Sequence, residues 1–306
     1  MKRCCPLCAN TTTSLWAKTK DYEYYTTTDE FEYYYCSECN SIFIDPMPVD
    51  RLQEIYPSNY YSFIGRHHSL AISIKEWLDK RWFSSILKKI TSPKISILDC
   101  GGGTGWLLSM MRTLDNRIDF TQVVDIDSQA EQEARNANHQ FYNGRIEEFE
   151  SSRRFDIILL LNLVEHVSDP QAVLSKIASL LAPGGVAVIK TPNIDSLDAR
   201  LFRHSYWGGL HAPRHWVLFS EQSFKQMVGR TSLQLDSFTY TQGAPFWSWS
   251  VLVWLKKKGI VTIDSKRPAI YHPLNGLLEI IFAAGDFIRS PFAKTSQMIA
   301  VLRKPK

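Results

Sequence analysis

Two groups of side chains in this 306-residue chain stand at spacings that support chemistry. The first is a set of thiols. Cys5-Pro6-Leu7-Cys8 and Cys36-Ser37-Glu38-Cys39 are Cys-x-x-Cys pairs near the start of the chain. Each pair can turn as a knuckle that aims two thiolates at one ion. Four thiolates fill a tetrahedral Zn2+ shell and leave no open position, so the expected role is structural. A segment this short buries too little surface to hold a fold alone, and a metal supplies the missing free energy. A redox pair is the alternative reading, although neither pair starts a helix after a strand, the setting in which such thiols become reactive.

The second group is the run Tyr206 to Ser220, "YWGGLHAPRHWVLFS", which has no helix or strand period. Histidine ionises nearest neutral pH and is the usual proton acceptor, which makes His211 and His215 candidates for general base. Arg214 can bind a phosphate or carboxylate, and the Tyr206 and Trp207 rings can stack on a sugar or a flat ring. His166, in "LNLVEHV", is a third candidate imidazole. The alternative is a packed loop, in which Arg214 and His215 tie the chain down before Ser220, a good helix N-cap.

These side chains need a frame. After Pro93 the pattern alternates between strands (95–98, 120–124, 155–161, 186–189, 235–240 and 297–302) and helices (106–112, 128–137, 170–181 and 221–228). The runs "DIILLLN" and "VAVIK" are apolar throughout, as in a parallel sheet covered on both faces. Residues 70–90 place Ile74, Trp77, Leu78, Trp82, Ile86 and Leu87 at helical spacing. Two prolines in "DPMPVD" mark a boundary before that helix.

In "ILDCGGGTG" a strand ends at Asp99, and Gly101, Gly103 and Gly105 let the backbone turn sharply toward a ligand. The next strand ends in "VVDIDS", where Asp125 can accept from ribose hydroxyls. "FDIILLLNLVEH" and "LLAPGGVAVI" follow in order. These four blocks, over about residues 93–240, resemble the class I S-adenosylmethionine-dependent methyltransferases. The paired thiols before them resemble a subgroup with an N-terminal zinc-ribbon module.

The resemblance implies an α/β fold, a Rossmann-like seven-stranded sheet with helices on both faces. A small zinc ribbon precedes the sheet, and a helical insertion precedes its last strand. It divides the chain into a zinc ribbon (1–45), a helical linker (46–92), a cofactor-binding domain (93–245), the insertion (246–293) and the closing strand (294–306). It also implies S-adenosyl-L-methionine as cofactor beside the structural Zn2+. The Gly101–Gly105 backbone and Asp99 would meet the methionine part, Asp125 and Ile126 the ribose side, Glu147 the adenine, and Asn162 the end of the fourth strand. Arg145 stands where the family often has an acid.

The implied reaction is methyl transfer to a hydroxyl of a small-molecule or lipid-linked acceptor, a surface-polysaccharide sugar first and a quinone or phenol next. C- or N-methylation of a nucleotide-linked sugar or natural product is an alternative. A zinc-ribbon binding protein with an inactive methyltransferase domain is another. The insertion carries Trp247, Trp249 and Trp254 beside Lys256–Lys258, and Leu277, Leu278, Ile281, Phe282 and Ile288 share one helical face. It is expected to pack on the domain as amphipathic helices or to meet a membrane surface peripherally. A net charge of +4 with 22% charged residues is too mild for a nucleic-acid partner. No secretory h-region or spanning segment is visible, so the expected location is cytoplasmic.

Overall fold

The structure, a computed structural model, describes residues 3–57 and 70–306. Three strands open the chain, β1 (Thr13–Thr19), β2 (Phe31–Cys36) and β3 (Ser41–Ile44), paired antiparallel in sequence order. The helices α1 (Leu52–Ile55) and α2 (Leu70–Leu87) follow. The C-terminal part of α2 buries Phe83, Ile86 and Leu87, whereas Trp77 and Leu78 are exposed. The buried stripe therefore lies further along the helix than its spacing suggests, and the Ile74 side chain lies outside the described residues.

The central sheet contains β4 (Ile95–Cys100), β5 (Ile118–Asp125), β6 (Gln140–Asn143), β7 (Phe155–Leu161) and β8 (Leu181–Pro192). These run parallel in the order β8-β7-β4-β5-β6. Between them lie α3 (Trp106–Arg112), α4 (Ser128–Asn136) and α5 (Pro170–Leu180). The chain continues through α6 (Leu197–Phe202), β9 (Val217–Phe219), α7 (Glu221–Val228), β10 (Gln234–Thr241), α8 (Ala244–Lys257), α9 (Asn275–Arg289) and β11 (Gln297–Arg303). β11 inserts antiparallel between β8 and β10 and completes seven strands.

The apolar runs have a direct cause, because alternate residues serve opposite faces of one sheet. Ile97, Ile157, Leu159 and Val188 pack beneath α2, α3 and α4, against Phe83, Leu108 and Ala134. Leu98, Ile158, Leu160 and Ile189 pack on the other face, against Leu174 and Ile177 of α5 and Phe224 of α7. β6 has no such run. It is an edge strand of four residues with one buried side chain, and its sequence carries no strand signal.

β9 does not join the central sheet. It pairs antiparallel with β3, Phe43 opposite Val217 and Ser41 opposite Phe219, and becomes the fourth strand of the N-terminal sheet. Tyr33, Phe43 and Ile44 belong to the same core as the sheet's α5/α7 face. In the insertion, α8 buries Trp247, Trp249, Leu252 and Val253, and Phe282 of α9 stacks on Trp247 with centroids 5.0 Å apart. Leu277, Ile280, Ile281, Phe287 and Ile288 of α9 are exposed. Among the described residues no helix is long and apolar enough to cross a membrane.

The loop from β1 to β2 is joined to the rest by a buried ion pair. Asp21 Oδ2 accepts from Arg214 Nη2 at 2.8 Å, and neither side chain touches water. Burial alone pushes the Asp21 carboxyl up, but the Arg214 charge and its hydrogen bonds outweigh that and leave it below the ordinary range. The pair's contribution is therefore complete at neutral pH and is lost only as the pH falls through that lowered value. Asp21→Ala strands a buried guanidinium and is expected to cost about 3–5 kcal/mol, measured by denaturant unfolding. A loss under about 1 kcal/mol would show that the pair does not anchor the loop.

Candidate active site

A cavity of about 650 Å³ opens beyond the carboxyl ends of β4, β5, β7 and β8, where ligands of open α/β sheets sit. Gly101, Asp125, Ile126, Glu147 and Asn162 line one part of it. Gly101, Gly103 and Gly105 have φ of 76°, 51° and 73°, the left-handed conformation that a side chain would strain. Gly103 and Gly105 shape the turn without reaching the cavity. Asp125 Oδ2 accepts from Gly103 N–H at 2.7 Å, and Oδ1 from Asp127 N–H at 2.9 Å, so this carboxylate braces the glycine turn.

Asp99 stands behind the turn rather than in the cavity wall, packed so close that a Cβ on Gly102 would lie 2.7 Å from its carboxyl carbon. Burial, with the Asp125 charge nearby, pushes its pKa up to about 8. Arg145 bonds Glu147, and both line the cavity, so the cation neutralises the acid expected near the adenine.

The opposite wall contains His166, His211 and His215. The His166 and His215 rings are 4.6 Å apart, and those of His211 and His215 are 5.0 Å apart. His215 Nδ1 faces the Gly209 carbonyl at 2.7 Å and donates to it, which leaves Nε2 as the basic nitrogen, 3.9 Å from Glu165 Oε1. His166 Nδ1 lies 2.8 Å from the Tyr56 hydroxyl and 3.0 Å from the Arg214 carbonyl. His211 Nδ1 meets Glu23 Oε2, and its ring stacks on Trp249 at 5.5 Å. Burial holds all three rings neutral, His166 down to about 3 and the others well below the usual imidazole value. Burial also raises Glu165 to about 7, although Asn162 Nδ2 and Thr191 Oγ1 both donate to it.

Two of these wall residues are backbone outliers. Asn162 has φ 60° and His211 φ 39°, and such conformations persist only where the surroundings over-determine them. The Gly208-Gly209 pair helps to do so. A Cβ at Gly208 would lie 2.5 Å from the Phe246 carbonyl oxygen, so only glycine lets this loop touch α8.

Tyr206, Trp207 and Arg214 do not line the cavity, which corrects the expectation that they meet the acceptor. All three are fully buried behind the wall. The Tyr206 hydroxyl donates to Glu23, Trp207 Nε1 donates to Asp198 at 2.7 Å, and Arg214 pairs with Asp21. The lining side chains that sequence reasoning missed include Tyr56, Lys190, Trp216, Phe246, Trp249 and Glu279. The supporting Asp21 and Glu23 were missed as well. Their one signal is a pair of acids in the otherwise aromatic and Thr-rich stretch "KDYEYYTTT".

Away from the cavity, Cys5, Cys8, Cys36 and Cys39 converge, all sulfur atoms lying within 4.8 Å of one another. Cys5 and Cys39 are 3.6 Å apart, and Cys8 and Cys36 3.5 Å. A tetrahedron with Zn–S bonds of about 2.3 Å has edges near 3.8 Å, so the thiols fit a zinc ion with little adjustment. Glu165, His166 and His215 form a second group within 4.8 Å, inside the cavity wall.

Residues 74–237 match the family described as a methyltransferase domain, and the chain belongs to that family. The chain thus carries a methyltransferase domain, built on the class I fold. Over 164 residues it is 34% identical to the ubiquinone biosynthesis O-methyltransferase of Rhodopseudomonas palustris (strain TIE-1), covering 49% of this chain and 63% of that protein. It is 34% identical over 113 residues to the protein of the same name from Coxiella burnetii (strain Dugway 5J108-111), covering 35% and 48%. The chain thus spans less than two thirds of the length of these relatives. The fold is shared with a putative sarcosine dimethylglycine methyltransferase from Galdieria sulphuraria, with a TM-score of 0.52 at 13% identity over 78% of this chain and 92% of that one. Coclaurine N-methyltransferase bound to N-methylheliamine and SAH gives 0.50 at 14% identity over 84% and 81%.

Asp125 both braces the glycine turn and lines the cavity. Asp125→Ala is therefore expected to weaken binding of S-adenosylhomocysteine by more than about 1 kcal/mol, the scale of hydrogen bonds to a charged group. Titration calorimetry reads this directly, and an unchanged affinity would mean that the nucleoside lies elsewhere.

Proposed function

We propose that the protein transfers a methyl group to a hydroxyl on a flat, phenol-like ring of a small or lipid-linked acceptor. The observation that carries this is the wall of three imidazoles set among the Tyr56, Trp216, Phe246 and Trp249 rings. A hydroxyl must lose its proton as it is methylated, and a neutral imidazole is the group that takes it. An aromatic-walled cavity suits a planar ring, and the relatives named for ubiquinone biosynthesis support a phenolic acceptor over a sugar.

When bound, S-adenosylmethionine supplies an electrophilic sulfonium methyl group, and displacement there needs no acid. The chain's work is to align and desolvate the acceptor. Gly101 and Asp125 hold the nucleotide side, with the Asp99 carboxyl beneath the turn. Asn162, at the end of β7, stands between the two halves. The histidines take the proton, and Phe246 and Trp249 of α8 exclude water.

The test is incubation of the full-length protein with methyl-labelled S-adenosylmethionine and, separately, a catechol, a reduced quinone and a nucleotide-linked sugar. Label is expected in a methyl ether of the catechol or quinol. A methyl ether of the sugar would move the acceptor class, and label on carbon or nitrogen would overturn hydroxyl methylation.

We also propose that Cys5, Cys8, Cys36 and Cys39 hold a structural Zn2+, on the strength of their convergence. Cys36→Ser is expected to purify without its equivalent of zinc and to unfold at lower temperature. Full metal content by elemental analysis would contradict the assignment.

A further inference from the structure

A helix on the surface of a globular protein turns its polar stripe to water and its apolar stripe to the core. In α9 the stripes are reversed. Asn275 accepts from the Ser248 hydroxyl at 2.6 Å and donates to Glu279 at 2.9 Å. Asp286 is buried and accepts from the Ser296 hydroxyl at 2.9 Å and Gly243 N–H at 3.2 Å. Arg289 pairs with that same carboxylate at 3.2 Å. The polar side chains of the helix are thus committed to the protein, together with Leu278 and Phe282. Leu277, Ile280, Ile281, Ala284, Phe287 and Ile288 form the opposite stripe and are exposed. Ile280 is 60% exposed, Ile288 70%, and Phe292, just past the helix, 90%.

The same insertion carries the chain's charge. Between Ala244 and Lys294 seven lysines and arginines stand against three acids, an excess equal to the net charge of +4 of the whole chain. Two of those acids, Glu279 and Asp286, are the ones held inside by Asn275 and Ser296. Asp264 is the one exposed carboxylate of the stretch. At the end of α8, Trp254 and Ile260 are exposed beside Lys257 and Lys258.

We propose that the outward face of α9 docks the protein on an anionic lipid membrane, lying on it without crossing. An apolar stripe enters the boundary between headgroups and acyl chains, and an excess of cations draws it to anionic lipid. α9 is too short to span a bilayer. A second copy of the chain fits this face less well. A symmetric pair would set the two α9 faces against each other and bring two insertions of like charge together.

The location has a consequence for the cavity. Glu279 of α9 lines it beside Phe246 and Trp249 of α8, while Ile280 and Ile281, next in the chain, face outward. A membrane against α9 would lie one helix diameter, about 10 Å, from the cavity. The docking itself does not depend on the acceptor being a hydroxyl.

The test is co-sedimentation of the full-length protein with vesicles of phosphatidylcholine alone and of phosphatidylcholine mixed with phosphatidylglycerol. Wild type is expected to bind the mixed vesicles and to bind the neutral ones far less. Ile280→Glu and Phe287→Glu change exposed positions outside the cavity lining. Each is expected to lower the partition onto mixed vesicles by about tenfold. An unchanged melting temperature and an unchanged affinity for S-adenosylhomocysteine show that the variants are folded.

No binding to either vesicle, equal binding to both, or full binding by both variants would overturn the proposal. Sedimentation velocity without lipid reads the competing occupant. A wild-type dimer that both variants dissociate, with no vesicle binding, would make the face a contact between copies. Because no acceptor is present, a methylated sugar, carbon or nitrogen would overturn the phenol-like reading and leave this result as it stands.

Discussion

A guanidinium with no surface in water has to be matched or the protein loses several kcal/mol, and the arrangement around the cavity depends on how Arg214 meets that requirement. Its counter-ion, Asp21, comes from a loop nearly two hundred residues earlier in the chain. The pairing commits the N-terminal sheet to the run that carries His211 and His215. The Tyr33 hydroxyl adds a tie to the carbonyls of Leu210 and His215, and β9 carries the same run into the N-terminal sheet. Both flanks of the strained His211 backbone are thereby tied, and its ring lies against Glu23 and Trp249.

The glycine-turn side of the cavity follows from a simpler constraint. Parallel strands covered on both faces end at one edge, and a loop turning there through three positive-φ glycines leaves room for a nucleoside. The histidine side has no comparable repeating element. It is assembled from α1, the run after α6, α8 and the β1–β2 loop, so it takes shape only when the N-terminal sheet and the insertion dock. The thiol cluster belongs to that docking. Its residues share a core with the α5/α7 face of the central sheet, which makes the N-terminal segment a part of the enzyme's body.

Much of this was legible in the sequence because the central sheet obeys local rules. Continuous apolar runs gave β7 and β8, the alternation of strand and helix after Pro93 gave β4, β5, α3, α4 and α5, and the Ser220 cap marked the start of α7. β6 was not legible, since a short edge strand with one buried residue has no period. The pairing of β9 with β3 was hidden for a different reason: it is a long-range contact, and three residues carry no pattern of their own. Gly101, Asp125, Asn162 and the three histidines, singled out by residue type and order, line the cavity. Tyr206, Trp207 and Arg214 do not, because residue type says what a side chain can bind but not whether another side chain already binds it. Glu23 was missed for the same reason, as its partner is fixed only by the tertiary fold.

The most direct test of the account is a crystal structure of the full-length protein with S-adenosylhomocysteine. The account predicts the nucleoside between the glycine turn and Asp125, with the sulfur facing the wall of His166, His211 and His215 and with Glu23 behind His211. A nucleoside bound outside this cavity, or a sulfur turned away from the three imidazoles, would contradict it.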